Sequence, residues 1–172
     1  IAGSDSSAGA GMQADLKTMS AFNVYASTVF TALTAQNTKG VKKVLNLSQS
    51  FLEEQIKAIT EDLRVSYIKI GMLSNENIIK SVIYCLNKYL PNVPIILDPV
   101  MVAKGGHVLL KESAIDYLKK TLLLKSFIIT PNIPEAEKIL GYDIKSMKKM
   151  EKCIREFNSL GVARVLLKGG HM

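Results

Sequence analysis

Val93-Pro94-Ile95-Ile96-Leu97-Asp98-Pro99-Val100 is the stretch on which the fold turns. Residues 93–97 form a short apolar run, and a carboxylate follows it directly. A strand with one wet face alternates apolar and polar residues, whereas a strand buried on both faces reads as a continuous run. The run therefore predicts a central strand of a parallel sheet, with Asp98 just past its carboxyl end. Working outward, runs of the same kind recur at Thr28–Leu33, Tyr67–Ile70, Ser126–Ile129 and Val162–Leu167. The segments between them repeat at helical spacing. Ser50 and Glu53 read as a capping box before Leu52, Ile56, Ile59 and Leu63. Ser74 reads as the cap of a helix carrying Ile79, Val82, Ile83, Leu86 and Leu90. Ile115, Leu118 and Leu122 mark a further helix, and Met147, Met150, Ile154 and Phe157 the last. Alternating strands and helices imply one α/β domain over residues 1–172, with a mostly parallel sheet and helices on both faces.

Composition narrows the function classes. The 172 residues are 48% hydrophobic, enough for a core. No run of about 18 apolar residues is present to span a membrane, and no basic segment followed by an apolar one opens the chain as a signal peptide. Cys85 and Cys153 are too few for a disulfide framework and read as small packing residues, which suits a cytoplasmic setting. The net charge of +7 comes mostly from lysines spread over many helices without interleaved aromatics. That excludes a nucleic-acid surface as the main reading. Lys145, Lys148, Lys149 and Lys152 form a solvated helix face, and the excess positive charge suits phosphorylated ligands.

In open parallel sheets, ligands bind beyond the carboxyl ends of the strands. At those ends stand Gln36, then Gly71 and Met72, then Asp98, then Asn132 with Glu135, then Lys168 and two glycines. Carboxylates beside an ammonium on one rim can hold a magnesium-bound polyphosphate, with the metal held by Asp98 and Glu135 directly or through water. Each member also has a plainer reading. Asn132-Ile133-Pro134-Glu135 makes a good helix start, Asp98 a strand end, and Lys168 a solvated terminus. Lys104-Gly105-Gly106 reads either as a mobile flap or as a surface turn.

Residues 1–11 form a small-residue loop that leads into a helix from about Met12. Gly9, Gly11 and Ala14 satisfy a G-x-G-x-x-A pattern, but the acidic ribose partner about 20 residues on is missing and the loop is too long for a Rossmann turn. No P-loop sequence occurs. Asp15 flanks the apolar face made by Met12, Leu16 and Met19, so it needs a partner. Two readings fit: a salt bridge or cap for a neighbouring loop, or a hydrogen-bonding partner for a ligand lying over the small-residue loop. Gln36 can offer such a ligand both a donor and an acceptor.

Six blocks in order resemble one family. They are residues 1–18 (Ile-Ala-Gly-Ser-Asp-Ser-Ser-Ala-Gly-Ala-Gly-Met-Gln-Ala-Asp-Leu-Lys-Thr), 31–38 (Thr-Ala-Leu-Thr-Ala-Gln-Asn-Thr), 69–73 (Lys-Ile-Gly-Met-Leu), 97–104 (Leu-Asp-Pro-Val-Met-Val-Ala-Lys), 130–137 (Thr-Pro-Asn-Ile-Pro-Glu-Ala-Glu) and 167–171 (Leu-Lys-Gly-Gly-His). Together they resemble the hydroxymethylpyrimidine/phosphomethylpyrimidine kinases of thiamin synthesis. The resemblance implies a ribokinase-like three-layer α/β/α sandwich. It implies ATP- and Mg2+-dependent phosphorylation of 4-amino-5-hydroxymethyl-2-methylpyrimidine and then of its monophosphate, by a homodimer. It places Asp15 and Gln36 against the pyrimidine, with Gly3, Ala10, Met72 and Val100 lining the pocket. Asp98, Asn132 and Glu135 fall at the magnesium and phosphate end, and Lys168 on the nucleotide side.

Two departures from the family pattern stand out. Ala8 replaces a more usual Gly, which stiffens the loop. The chain also opens and stops flush with core strands, so an amino-terminal lead-in and a carboxy-terminal Gly-Thr-Gly-Cys anion-hole segment, carrying the catalytic residue, are expected outside residues 1–172. Two alternatives remain beside this reading: a pyridoxine/pyridoxal kinase of the same superfamily, or a pyrimidine-binding remnant without catalysis.

Overall fold

The computed structural model describes residues 1–102, 108–110 and 112–169. Its strands are short and its helices long. In order come α1 (Gly11–Ala21), β1 (Ala32–Asn37), β2 (Gly40–Asn46), α2 (Gln49–Asp62), β3 (Ile68–Ile70), α3 (Glu76–Tyr89), β4 (Ile95–Leu97), α4 (Glu112–Lys120), a 3-10 turn (Leu123–Lys125), β5 (Ile128–Ile129), α5 (Ile133–Leu140) and α6 (Met147–Ser159).

The central strands β3, β4 and β5 pair in parallel, with Ile68 beside Ile95 and Ile96 beside Ile128. Backbone bonds carry the parallel order outward on both sides. The Ile1 nitrogen donates to the Lys69 carbonyl and Gly71 N–H to the Ile1 carbonyl, which sets the opening segment beside β3. Ala2 in turn bridges Phe30, while Val165 bridges Ile129 and Lys168 bridges Asn132. Six chain segments thus lie side by side in the order 29–32, 1–4, 68–71, 95–98, 128–132 and 165–168, and their carboxyl ends share one rim.

One face of this sheet is fully packed. Ile68, Ile70, Ile95, Leu97 and Ile129 share a core with Leu52 and Ile56 of α2, Ile79, Val82 and Leu86 of α3, and Leu118 of α4. The alternate residues Lys69, Ile96 and Ile128 are only half-buried, and they turn to the face where α1 lies. Helices therefore flank both faces, as the alternation predicts, but the α1 face is the less covered one. On α1 only Met12 is buried, and Leu16 of the predicted apolar face remains 42% exposed.

The structure corrects several local expectations. The first apolar run does not end at residue 33. It continues as β1 and turns back as β2 in an antiparallel hairpin, with a bulge between Ala35 and Gln36. The cap of α2 is Ser48, whose hydroxyl accepts Phe51 N–H, and Ser50 lies inside the first turn. The cap of α3 is Asn75, which accepts Ile78 N–H, while Ser74 donates to Asn46. In α6, Cys153 and Phe157 make the buried stripe and Met147 is 64% exposed. Cys85 and Cys153 are free and buried, as small packing residues should be. Lys104, Gly105, Gly106, Gly170, His171 and Met172 lie outside the described residues. Among the described residues, no helix is long and apolar enough to cross a membrane.

Candidate active site

The loop from Gly3 to Gly11 is the most internally bonded part of the rim. Asp5 is 2% exposed, and its carboxylate collects four donors. Its Oδ1 accepts Ser7 N–H at 2.8 Å and Ser7 Oγ at 2.7 Å. Its Oδ2 accepts Gly9 N–H at 3.0 Å and Ala10 N–H at 2.8 Å. Burial alone would push the carboxyl up, but these donors outweigh it and hold it below the ordinary carboxylate range. The chain then turns into α1 at Gly11, with φ +56° and Met12 N–H donating to the Gly3 carbonyl at 2.9 Å. Ala8 sits at φ +58°, a left-handed conformation that a Gly would adopt without strain.

Gly3 faces Met72: a Cβ added at Gly3 would stand 2.8 Å from the Met72 sulfur. Gln36, at the bulge of β1, is held by its backbone. Ser6 Oγ donates to its carbonyl at 2.7 Å and accepts its N–H at 2.8 Å. The Gln36 side-chain Oε1 lies 3.4 Å from Thr34 Oγ1, and an amide keeps further donor and acceptor capacity beside one such contact. Asp15 takes the salt-bridge option. Both its oxygens accept Lys69 Nζ, at 2.9 and 2.8 Å, and each side chain is about one-fifth exposed. A carboxylate has further lone pairs, so this pairing leaves Asp15 room for another donor.

At the other end of the rim four predicted residues meet. Lys168 Nζ donates to Asp98 Oδ1 at 2.8 Å, with Lys168 42% and Asp98 23% exposed. Lys168 N–H donates to the Pro131 carbonyl, which brings Lys168 beside Asn132. Asn132 Oδ1 accepts Glu135 N–H and Glu135 Oε2 accepts Asn132 N–H, both at 2.8 Å, so the capping box is real. Burial pushes the Glu135 carboxyl up, opposed by the Asn132 N–H and the Lys168 charge, with Asp98 adding to the rise. Val100 follows on a tight turn in which its N–H donates to the Asp98 carbonyl.

The two halves are neighbours. Met72 ends the segment that pairs with the opening strand on one side, and Asp98 N–H donates to Ile70 O on the other. A ligand over the loop and Gln36 would therefore point toward Asp98 and Lys168. A cavity of about 430 Å³ opens on the α1 face, lined among others by Met12, Asp15, Met19, Ile59, Lys69 and Ile96. Of the predicted site residues Asp15 lines it, whereas Gln36, Asp98, Asn132, Glu135 and Lys168 do not. Sequence reasoning missed Asp5 and Lys69 as organisers of the site. An Asp followed by small residues is a turn signal that could have flagged Asp5.

The family model described as phosphomethylpyrimidine kinase matches residues 5–172. The hydroxymethylpyrimidine/phosphomethylpyrimidine kinase of Bacillus subtilis is 44% identical over 171 residues, covering 99% of this chain and 63% of that protein. The crystal structure of phosphomethylpyrimidine kinase from Clostridium difficile 630 superposes with a TM-score of 0.90 at 48% identity, covering 99% of this chain and 73% of that one. A Staphylococcus aureus pyridoxal kinase, solved with AMP-PCP and pyridoxal, follows at 33% identity and a TM-score of 0.84, covering 99% of this chain and 61% of that one. The chain spans between 32% and 67% of the length of the curated relatives considered. The fold is the ribokinase-like α/β/α sandwich with a mostly parallel sheet. With the family model matching nearly its whole length and relatives 44% and 48% identical across 99% of it, the chain belongs to the phosphomethylpyrimidine kinase family.

Proposed function

We propose that the protein transfers the γ-phosphoryl group of ATP to the hydroxymethyl group of 4-amino-5-hydroxymethyl-2-methylpyrimidine, and then to the resulting monophosphate, in thiamin biosynthesis. The observation that carries this is the single rim on which a small-residue loop with Gln36 adjoins the cluster of Asp98, Asn132, Glu135 and Lys168. The pyrimidine lies over Gly3 and Ala10 between Met72 and Val100. Gln36 offers its amide to the ring's amino edge, and Asp15 offers the lone pairs that Lys69 leaves. Lys168, 42% exposed, can swing from Asp98 to a phosphate oxygen.

Two carboxylates are too few to hold a resident metal, and among the described residues no group of three or more His, Cys, Asp or Glu side chains is placed to do so. They suit a magnesium ion that arrives with the nucleotide and keeps most of its water, held by Asp98 and Glu135 directly or through that water. When bound, ATP with Mg2+ supplies the phosphoryl group and neutralises charge between nucleotide and acceptor.

Glu135 separates capping from ligand duty. Glu135→Gln keeps a capping-box residue and removes a charge that burial disfavours. The folded state gains when Glu135 is protonated, so its ionisation weakens the fold as pH rises above the unfolded value of about 4.3. The variant is therefore expected to match or exceed the wild type in thermal stability at pH 7 while requiring several-fold more Mg2+ for half-maximal activity. Melting curves and a magnesium titration check both, and an unchanged magnesium requirement would confine Glu135 to capping.

A homodimer in the cytoplasm completes the reading. Leu33 and Leu45 are cross-strand partners on the hairpin, and both are exposed, as is Phe51 nearby in sequence. Directly opposed side chains share one face of a hairpin, and such an apolar pair suits a second subunit. The activity is tested by offering equal concentrations of the hydroxymethyl pyrimidine and pyridoxal with ATP and Mg2+, and resolving the products by mass spectrometry. Preferential formation of the pyrimidine phosphate supports the proposal, and preferential formation of pyridoxal phosphate transfers it to the pyridoxal kinases.

A further inference from the structure

We propose that Asp5 is a positioning residue for the pyrimidine, one whose carboxylate fills the amide nest of the loop and thereby fixes both Ala10 and Gln36. The inference rests on the pyrimidine-binding reading above. A small-residue loop at a helix start has the composition of an anion site, because its successive N–H groups converge on one point. Here those groups are already taken. Ser7, Gly9 and Ala10 donate to the Asp5 carboxylate, and Ala8 N–H donates to the Asp5 carbonyl at 2.9 Å. No amide from 7 to 10 is left for a ligand's phosphate, and a phosphate there would meet the Asp5 charge. What the loop presents outward is the exposed methyl of Ala10 and neutral backbone, a surface for a ring.

The same network reaches the other pyrimidine contact. Asp5 N–H donates to Gln13 Oε1 at 2.7 Å, which ties the loop to α1. The next residue, Ser6, makes both backbone hydrogen bonds to Gln36 through its hydroxyl. Ser4 Oγ accepts Thr34 N–H at 2.8 Å, and Thr34 Oγ1 donates to the Ser4 carbonyl at 2.8 Å. Loosening Asp5 therefore frees the loop and the bulge together, while Asp98, Asn132 and Lys168 share no bond with it.

The test is Asp5→Asn in the protein, with Ser7→Ala as a milder companion. The amide of Asn still accepts from Ser7, but its NH2 cannot accept from Gly9 and Ala10. Three quantities are read: hydrogen exchange at residues 7–10, affinity for 4-amino-5-hydroxymethyl-2-methylpyrimidine by calorimetry, and affinity for ADP. The expected result is faster exchange at Gly9 and Ala10, about tenfold weaker pyrimidine binding, and ADP binding within about twofold of wild type. Ser7→Ala should shift exchange and pyrimidine affinity in the same direction by less, and it decides the matter if Asp5→Asn does not fold. Loosened loop amides with wild-type pyrimidine affinity overturn the proposal, and so does an equal loss of pyrimidine and ADP binding, which would mark a general structural role. A wild-type protein with protected loop amides that binds no pyrimidine overturns the functional reading, and with it the ligand this loop is proposed to position.

Discussion

Asp98→Ala is expected to lower kcat/KM for phosphoryl transfer by about a hundredfold or more while moving stability by about 1 kcal/mol or less. The asymmetry follows from how Asp98 is held. Its backbone is fixed by the sheet, with N–H donating to Ile70 O at 2.8 Å, so truncating the side chain leaves the strand end in place. The carboxylate is partly exposed, and its ion pair among the described residues is to a half-exposed lysine. Pairs of that kind contribute little to stability. Its value lies in what it faces: Lys168 and the buried Glu135, on the rim where a polyphosphate and its magnesium would lie. Steady-state kinetics beside a denaturant melt measure both numbers. A large stability loss with a proportionate activity loss would mean that Asp98 is only a strand terminator.

Gly11→Ala should be the most damaging of the loop substitutions, costing about 2–4 kcal/mol of stability. Gly11 has φ +56°, where a Cβ is strained in any surroundings. That Cβ would also stand 2.6 Å from the Gly3 carbonyl oxygen and 3.1 Å from the Ser4 carbonyl carbon. Both are backbone atoms of the opening strand, and neither can give way without opening the sheet. Gly3→Ala offers the control, because its added methyl meets the flexible thioether end of Met72. It is expected to cost less than Gly11→Ala and to act mainly by narrowing the pyrimidine floor. Chemical denaturation of the two variants side by side checks the order, and a Gly3→Ala variant less stable than Gly11→Ala would contradict it.

The parts of this molecule that could be read from sequence are those whose signals are local. Asn132-Ile133-Pro134-Glu135 announces a helix start by residue type and spacing alone, and the structure forms that capping box. Asp98 and Lys168 are legible because each ends an apolar run, and parallel pairing brings such ends to one rim. Where two signals compete within a few residues, the reading slips. Ser48 and Ser50 both precede the same apolar stripe, as do Ser74 and Asn75, and only the extended backbone at Ser48 and Asn75 decides which caps. The β1–β2 hairpin escapes because Lys42 and Lys43 break the apolar run of β2 and the bulge at Ala35 and Gln36 breaks the register of β1.

Lys69 escapes for a different reason. It is the polar middle of a three-residue strand, and nothing near it in sequence points to Asp15, 54 residues away. Asp5 was visible only as one more polar residue in a Gly/Ser-rich stretch. Its four donors come from backbone geometry that composition does not encode.

The most direct measurement is a crystal structure of the protein with the hydroxymethyl pyrimidine and AMP-PCP bound together. The account predicts the ring between Ala10 and Met72 with its amino edge on Gln36, its hydroxymethyl group turned toward Asp98, and the phosphates beside Lys168. A pyrimidine that touches neither Gln36 nor Ala10, or nucleotide phosphates seated on the amides of residues 7–10, would contradict it.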